Sequence, residues 1–188
     1  MGRKEKVGVD LGLSDDEKTT LLKIARTTIE SRIKGKDAPE FTPDSETLKE
    51  NRGAFVSLHR KGNLRGCIGH IQATKPLYKT IQEMAISAAF QDPRFEPMSE
   101  KELDDLDIEI SVLTPMKPVT DINEIEVGKH GLMIVKDYYS GLLLPQVATE
   151  YGWDRETFLE HTCMKAGLPV NAWKDSDTKI YAFSADVF

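Results

Sequence analysis

A cysteine within a glycine-rich strand is the residue best suited to chemistry in this sequence. Cys67 lies in the segment 64–71, directly after Gly66 and two residues from both Arg65 and Gly69. Glycine inside a strand usually marks a place where a ligand or another backbone segment comes close. A nearby arginine favours the thiolate, which is the nucleophilic form of cysteine. The segment predicts either a reactive thiol, with Arg65, Gly66 and Gly69 next to a substrate, or a buried cysteine in a tight hairpin.

Two arginines flank the turn of the predicted hairpin. If Gly62 and Asn63 form a two-residue turn, Arg60 lies opposite Arg65, and the strand register brings Leu58 opposite the cysteine. Like charges that face each other are unfavourable unless an anion or a carboxylate lies between them. This register would place two guanidinium groups near the thiol.

A third arginine follows a rigid turn. Arg94 belongs to the segment Asp92-Pro93-Arg94-Phe95. The planar guanidinium binds carboxylates and phosphates through two parallel hydrogen bonds. We expect Arg94 either to bind a substrate oxyanion or to form an internal salt bridge, with Asp92 as the nearest partner.

A nucleophilic cysteine usually requires a histidine that a third group orients. His130 precedes a glycine at a predicted loop-to-strand junction, and Glu109 lies on the polar face of a predicted strand. We therefore predict Cys67, His130 and Glu109 as a catalytic set. The alternative for His130 is a hydrogen bond to the backbone within a turn.

A metal site is not predicted. Cys67 and His70 are three residues apart on a strand and point to opposite faces. His161 and Cys163 are two residues apart on a predicted helix, so they do not face each other. We expect Cys163 in the core, His161 in solvent, and no cofactor.

The hydrophobic periodicity predicts elements that arrive as hairpins and separate helices. Ser14 and Glu17 form a capping box, which predicts a helix to about residue 32. Further helices are predicted after residue 76 and over 154–166, a loop over 36–51, and strands at 54–59, from 64, and over 106–112, 132–135, 142–144 and 180–188. Apolar residues alternate in strand 106–112, so we expect it to be buried on one face only. This order predicts an α+β fold, with an antiparallel sheet of hairpins and helices packed on it, in one domain spanning 1–188.

The composition narrows the classes of function. The 188 residues include 25 basic and 31 acidic side chains, a net charge of −6, which argues against nucleic-acid binding. Two cysteines do not make a disulfide framework, and the sequence lacks a signal peptide and an apolar stretch of membrane-spanning length. A cytoplasmic protein with reduced thiols and no membrane association is expected.

Several segments together resemble the AMMECR domain family. The resemblance runs from about residue 14 to the C-terminus, and the hexapeptide Leu-Arg-Gly-Cys-Ile-Gly at 64–69 is its most specific motif. Other matching segments are Ala54-Phe-Val-Ser-Leu, Asp92-Pro-Arg-Phe, Ile108-Glu-Ile-Ser-Val-Leu, His130-Gly-Leu, Leu143-Leu-Pro-Gln-Val and Lys165-Ala-Gly-Leu-Pro. The resemblance implies an α+β fold of two unequal lobes with a cleft between them, and an activity that is not established. Family members are fused to, or encoded beside, Memo-type proteins and radical-SAM enzymes, which implies such partners here.

Three classes of function follow from these observations. The first is binding of a small anionic molecule, or a cysteine-assisted reaction on it, in the inter-lobe cleft. The second is a docking module for a partner protein with no catalysis of its own. The third, a nucleic-acid-binding protein, is the one that the acidic balance disfavours most. A homodimer is compatible with the sequence, although nothing in it requires one.

Overall fold

The structure is a computed structural model that describes residues 7–188. The helices are α1 (Asp15–Ile33), α2 (Glu46–Lys49), α3 (Leu77–Phe90), α4 (Pro145–Tyr151) and α5 (Arg155–Lys165). The strands are β1 (Ala54–Arg60), β2 (Asn63–His70), β3 (Leu106–Leu113), β4 (Lys117–Pro118), β5 (His130–Lys136), β6 (Tyr139–Leu143) and β7 (Lys179–Val187). Short 3-10 turns cover Glu100–Glu102, Ile122–Glu124 and Ala172–Lys174.

The three long helices lie where the periodicity predicts them. The capping box is present: the Glu17 N–H donates to Ser14 Oγ at 3.2 Å, and the Ser14 N–H donates to the Glu17 carboxylate at 2.8 Å. The loop predicted over 36–51 is partly wrong, because α2 forms within it. Helix α4 was not predicted, although it begins with Pro145 and ends at Gly152 in the left-handed conformation, which are recognised helix boundaries.

The chain divides into two compact units. The N-terminal unit comprises Gly12–Leu113 and Asp186–Phe188. In it β1 is the central strand, paired antiparallel with β2 on one side and β3 on the other. Ile110 of β3 and Phe188 exchange backbone hydrogen bonds of 2.8 and 3.1 Å. Helices α1 and α3 pack on this sheet, and the core includes Leu21, Ile24, Val56, Leu58, Ile81, Ala85 and Ala88.

Burial of β3 differs from the prediction. Its apolar side chains Ile110 and Val112 are fully buried, as the alternation indicates. Ser111, on the opposite face, is only 1% exposed, and Ser57, which lies on the same sheet face of β1 and pairs with Glu109, is also buried. The prediction that this strand is buried on one face only is therefore wrong for its second half. Small hydroxyl side chains tolerate this burial because they carry little apolar bulk and accept local hydrogen bonds.

The C-terminal unit comprises Thr114–Ala185 and the described residues before Gly12. Strand β5 pairs antiparallel with β6 and with β7, and the short β4 pairs with β7. Helix α5 packs on β5 and β6. The core of this unit includes Leu132, Ile134, Ala148, Phe158, Leu159 and Cys163, so the prediction that Cys163 lies in the core is confirmed.

The predicted α+β class, with antiparallel strands and helices packed on them, is confirmed. The two unequal lobes and the cleft between them stay predictions. Within residues 7–188, none of the helices has the length and apolar character needed to cross a bilayer.

Candidate functional site

The hairpin turn differs from the predicted one by one residue. Lys61 and Gly62 have φ of 50° and 79° and form the two-residue turn, so that Arg60 pairs with Asn63. Positive φ at both central positions is the geometry that matches the twist of a hairpin. The predicted register with Arg60 opposite Arg65 is therefore wrong.

A bulge then shifts the rest of the strand. Leu58 pairs with Gly66, and the next residue of β1 pairs with Leu64, so Arg65 is the extra residue on β2. Cys67 consequently lies opposite Ser57, and the prediction of Leu58 opposite Cys67 is also wrong.

A carboxylate lies between Arg60 and Arg65. The Glu102 carboxylate accepts from Arg60 Nη1 at 3.1 Å and from Arg65 Nε at 2.8 Å. Arg65 also donates to the Glu96 carbonyl at 2.8 Å, and Arg60 forms a bidentate pair with Asp105. Hydrogen bonds from Arg65 lower the pKa of Glu102 to about 2. Arg65 is thus engaged by an internal carboxylate, and a substrate anion would compete with Glu102 for it.

The Asp92–Arg94 segment is attached to the backbone of Cys67. The Cys67 N–H donates to Asp92 Oδ2 at 2.9 Å, and Arg94 Nη2 donates to the Cys67 carbonyl at 3.3 Å. Asp92 and Arg94 also form a salt bridge of 2.7 Å, in which the Asp92 side chain is 1% exposed. Two separate motifs, at 64–69 and 92–95, are thereby brought into contact, and Arg94 forms the internal salt bridge considered as an alternative.

Both glycines of the cysteine segment have an internal neighbour. A Cβ atom on Gly66 would overlap the backbone carbonyl of Ala88 in α3. A Cβ atom on Gly69 would overlap the ring of Phe55. Close approach of a helix backbone and of an aromatic ring explains these glycines, and their predicted contact with substrate stays a prediction.

Cys67, Ser57 and Glu109 form one row across the N-terminal sheet. Ser57 on the central strand pairs with Cys67 on one side and with Glu109 on the other. The Ser57 hydroxyl donates to Cys67 Sγ at 3.1 Å. Two of the three predicted catalytic residues therefore share a sheet face, and Ser57 between them was missed because its pairing depends on the bulge.

The environment of Cys67 does not favour the thiolate. Burial raises the pKa of Cys67, and the charges of Asp92 and Glu109 add to this effect. The Ser57 hydrogen bond and the Arg94 charge oppose it without reversing it. The Arg94 charge does lower the pKa of the thiol, but burial has the larger effect, so the net direction of the pKa shift is upward.

We expect Cys67 to alkylate slowly at neutral pH. With Cys163 replaced by alanine to leave a single thiol, iodoacetamide should react more slowly than with N-acetylcysteine at pH 7. The rate should still be rising at pH 9, since only the thiolate reacts. A rate that reaches a plateau below pH 8 would show a low thiol pKa and contradict this expectation.

His130 belongs to the C-terminal unit, where β5 begins. It pairs with Ser184 on β7, and its Nδ1 accepts from the Glu126 N–H at 3.1 Å. This contact matches the alternative of a histidine bonded to backbone in a turn. Burial lowers the pKa of His130, and the Lys129 charge lowers it further, although Glu126 partly opposes them.

A cavity of about 490 Å³ lies beside His130 in this unit. Lys117 and Lys129 also line it, together with Ser184 and Thr114. The Thr114 hydroxyl accepts from the Ser184 N–H at 2.8 Å, which fixes that side of the cavity. Sequence analysis missed both lysines. Lys117 lies in a strand of two residues, which is too short to show an alternating pattern.

The described residues contain no group of three His, Cys, Asp or Glu side chains placed to hold a metal ion. His161 packs face to face on Trp153, with ring centroids 3.9 Å apart, and is half-buried. The expectation that His161 lies in solvent is therefore wrong.

A profile of the AMMECR1 family matches residues 22–188. The chain belongs to the AMMECR1 family. Its relatives in this family include a protein of Methanothermobacter thermautotrophicus, 49% identical over 185 residues, which cover 94% of this chain and 95% of the relative. A protein of Thermococcus kodakarensis is 45% identical over 189 residues, covering 94% and 91%.

The AMMECR1 fold is also seen in a crystal structure of an uncharacterized protein from Pyrococcus horikoshii. That structure has a TM-score of 0.89 and 42% sequence identity to this chain, covering 93% of this chain and 92% of the other. The names of these AMMECR1 relatives state no activity. The matched region includes Cys67, Arg94 and His130.

Proposed function

We propose that this protein binds a small anionic molecule in the 490 Å³ cavity beside His130. The observation that carries the proposal is that two lysine side chains and one histidine side chain line one cavity: Lys117, Lys129 and His130. Its volume lies in the range of small-molecule sites. The ligand class is the one that the sequence predicts, but its cationic partners are lysines of the C-terminal unit.

The two lysines are available to an anion. Both are exposed. Within residues 7–188 no carboxylate lies at ion-pair distance from Lys117. Lys129 pairs with Glu126 at 2.8 Å, and both side chains are about half-exposed or more. An exposed pair of this kind is weak, so a ligand can displace it. Arg65 and Arg94, by contrast, already bind the carboxylates of Glu102, which is 14% exposed, and Asp92, which is 1% exposed.

His130 makes the binding depend on pH. Burial and Lys129 lower the pKa of His130 below its ordinary value, so the imidazole is neutral at pH 7. A bound anion favours the imidazolium and raises this pKa. Affinity should therefore increase as falling pH protonates the imidazole, and should level off at higher pH, where the imidazole is neutral.

The test is calorimetric titration with inorganic phosphate and with succinate. We expect binding by the wild type and a loss of about tenfold in Lys117→Gln, since one charge-assisted hydrogen bond is removed. Lys23→Gln is the control, because Lys23 is an exposed lysine on α1 of the N-terminal unit.

Two outcomes would contradict the proposal. Equal affinity of the Lys117 and Lys23 variants would place the anion elsewhere. Absence of binding by both probes at millimolar concentration would remove this class of ligand. His130→Gln should remove the part of the pH dependence that does not come from the titration of phosphate or succinate itself, and should leave weaker binding above pH 7.

A cysteine-assisted reaction is the second candidate. It is supported by the hydrogen bond that the Ser57 hydroxyl donates to Cys67 Sγ, which stabilises a thiolate once formed. Glu109, on the other side of Ser57, is the base that we propose for the thiol proton. The alkylation experiment tests this candidate: if Glu109 takes the thiol proton, Glu109→Gln should slow the reaction of Cys67, whereas the loss of its charge alone would lower the pKa of the thiol and speed the reaction.

A further inference from the structure

The basic side chains that line the cavity beside His130 come from strands on opposite sides of β7. Ala182 of β7 pairs with Lys117 of β4 on one side and with Leu132 of β5 on the other. His130 pairs with Ser184, two residues further along β7. Neighbouring strands lie about 4.8 Å apart, so the backbones of Lys117 and His130 are separated by about 10 Å or more. These two side chains therefore mark different ends of the cavity.

An apolar surface separates the two ends. Residues paired across neighbouring strands share a sheet face, and so do residues two apart on one strand. Lys117, Ala182 and His130 therefore point to the same side of the sheet, and all three line the cavity. Ala182 is half-buried and lies between the other two, and the exposed Pro115 lines the same cavity. A ligand that spans the cavity thus meets a basic group at each end and apolar atoms in the middle.

Lys117 provides the first end. It is exposed, and no carboxylate of residues 7–188 lies within ion-pair distance of its ammonium group. A ligand carboxylate therefore gains a charge-assisted hydrogen bond at Lys117 without displacing an internal partner.

His130 and the adjacent Lys129 provide the second end. Nδ1 of His130 accepts from the Glu126 N–H at 3.1 Å, so the neutral ring carries its proton on Nε2. Nε2 can therefore donate to a carboxylate at pH 7, before the imidazole is protonated. Lys129 also lines the cavity, and its exposed pair with Glu126 is weak enough for a ligand to displace.

We infer that the ligand of this cavity is a linear organic dicarboxylate, an inference that rests on the proposed anion binding. One carboxylate accepts from Lys117, and the other accepts from His130 Nε2 and Lys129. The methylene chain between them lies on Ala182 and Pro115. A compact anion such as phosphate does not reach both ends of the cavity at hydrogen-bond distance, so it uses only part of the site.

The test compares glutarate with monomethyl glutarate by calorimetric titration at pH 7, where free carboxyl groups are ionised. The two probes have the same carbon chain, but the ester carries one charge and glutarate carries two. We expect glutarate to bind about tenfold more tightly, since the second carboxylate adds one charge-assisted hydrogen bond. Affinity should also rise from malonate through succinate to glutarate, because the shorter chains do not span the cavity.

Variants at Lys117 assign this preference to the cavity. Lys117→Gln removes the cation at one end, so glutarate should bind about as weakly as its monomethyl ester. Lys117→Arg keeps the charge and should keep the preference. Lys23→Gln, on α1 of the N-terminal unit, should leave both affinities unchanged. Because Lys117 is exposed, its replacement should not alter thermal stability.

The outcomes separate this inference from the proposed function. If phosphate binds and Lys117→Gln weakens it, while glutarate binds no more tightly than its monomethyl ester or than malonate, the anion site stands and the dicarboxylate inference is overturned. A preference for glutarate that persists in Lys117→Gln also overturns it. If neither phosphate nor glutarate binds at millimolar concentration, the proposed function and this inference both fail.

Discussion

Replacement of Gly66 by alanine should destabilise the protein by about 3 kcal/mol or more, because the new methyl group would overlap a backbone carbonyl. That carbonyl belongs to Ala88 in α3, where it cannot move without shifting the helix against β2. For a chain of this size the loss corresponds to a melting temperature lower by about 10 °C. Urea denaturation and thermal melting followed by circular dichroism measure it.

Gly69→Ala is the matched control for this experiment. Its methyl group would overlap the ring of Phe55, a side chain that can rotate, so a smaller loss is expected. If both variants lose less than about 1 kcal/mol, α3 does not approach β2 as described.

Local patterns predicted most of the elements, and pairings between distant segments account for most of what was missed. The Ser14 capping box and the alternation in β3 need only neighbouring residues, so sequence alone placed α1 and β3. The bulge at Arg65 has no local signal, and one extra residue was enough to change every partner of β2 beyond it. Helix α4, with seven residues, is too short for a clear helical period.

In the candidate site, too, some features follow from the residue types and others depend on the pairing of distant segments. The need for a carboxylate between two arginines followed from their charges, whereas its identity as Glu102 required the fold. The sequence left a reactive and a buried Cys67 open as alternatives, because burial, which sets the direction of its pKa shift, is a property of the assembled structure. No spacing rule relates His130 to Cys67, and their pairing as catalytic residues stays a prediction, as do Memo-type and radical-SAM partners.

Replacement of Asp92 by asparagine should destabilise the N-terminal unit by about 2–3 kcal/mol. The buried Asp92 carboxylate accepts from the N–H groups of Cys67 and Arg94 and from Arg94 Nε and Nη2, at 2.7 to 3.1 Å. These hydrogen bonds, chiefly from the Arg94 side chain, hold the pKa of Asp92 well below its usual range. The amide carries no charge and directs an N–H₂ group at some of the same donors, so Arg94 loses its partner. Urea denaturation at pH 7 measures the loss.

The pH dependence of stability and the alkylation rate of Cys67 give two independent checks on the Asp92–Arg94 pair. Because the pKa of Asp92 is depressed on folding, its contribution is complete above the ordinary aspartate value and is lost as the pH falls below about 4. The free energies of unfolding of the wild type and of Asp92→Asn should therefore become more alike in acid. Asp104→Asn, at an exposed carboxylate, should leave stability unchanged both at pH 7 and in acid.

Removal of the Asp92 charge should also lower the pKa of Cys67 and speed its alkylation, since that charge raises the pKa. Equal urea midpoints for the Asp92 and Asp104 variants, with no change at the thiol, would mean that the Asp92–Arg94 pair does not hold the backbone of Cys67.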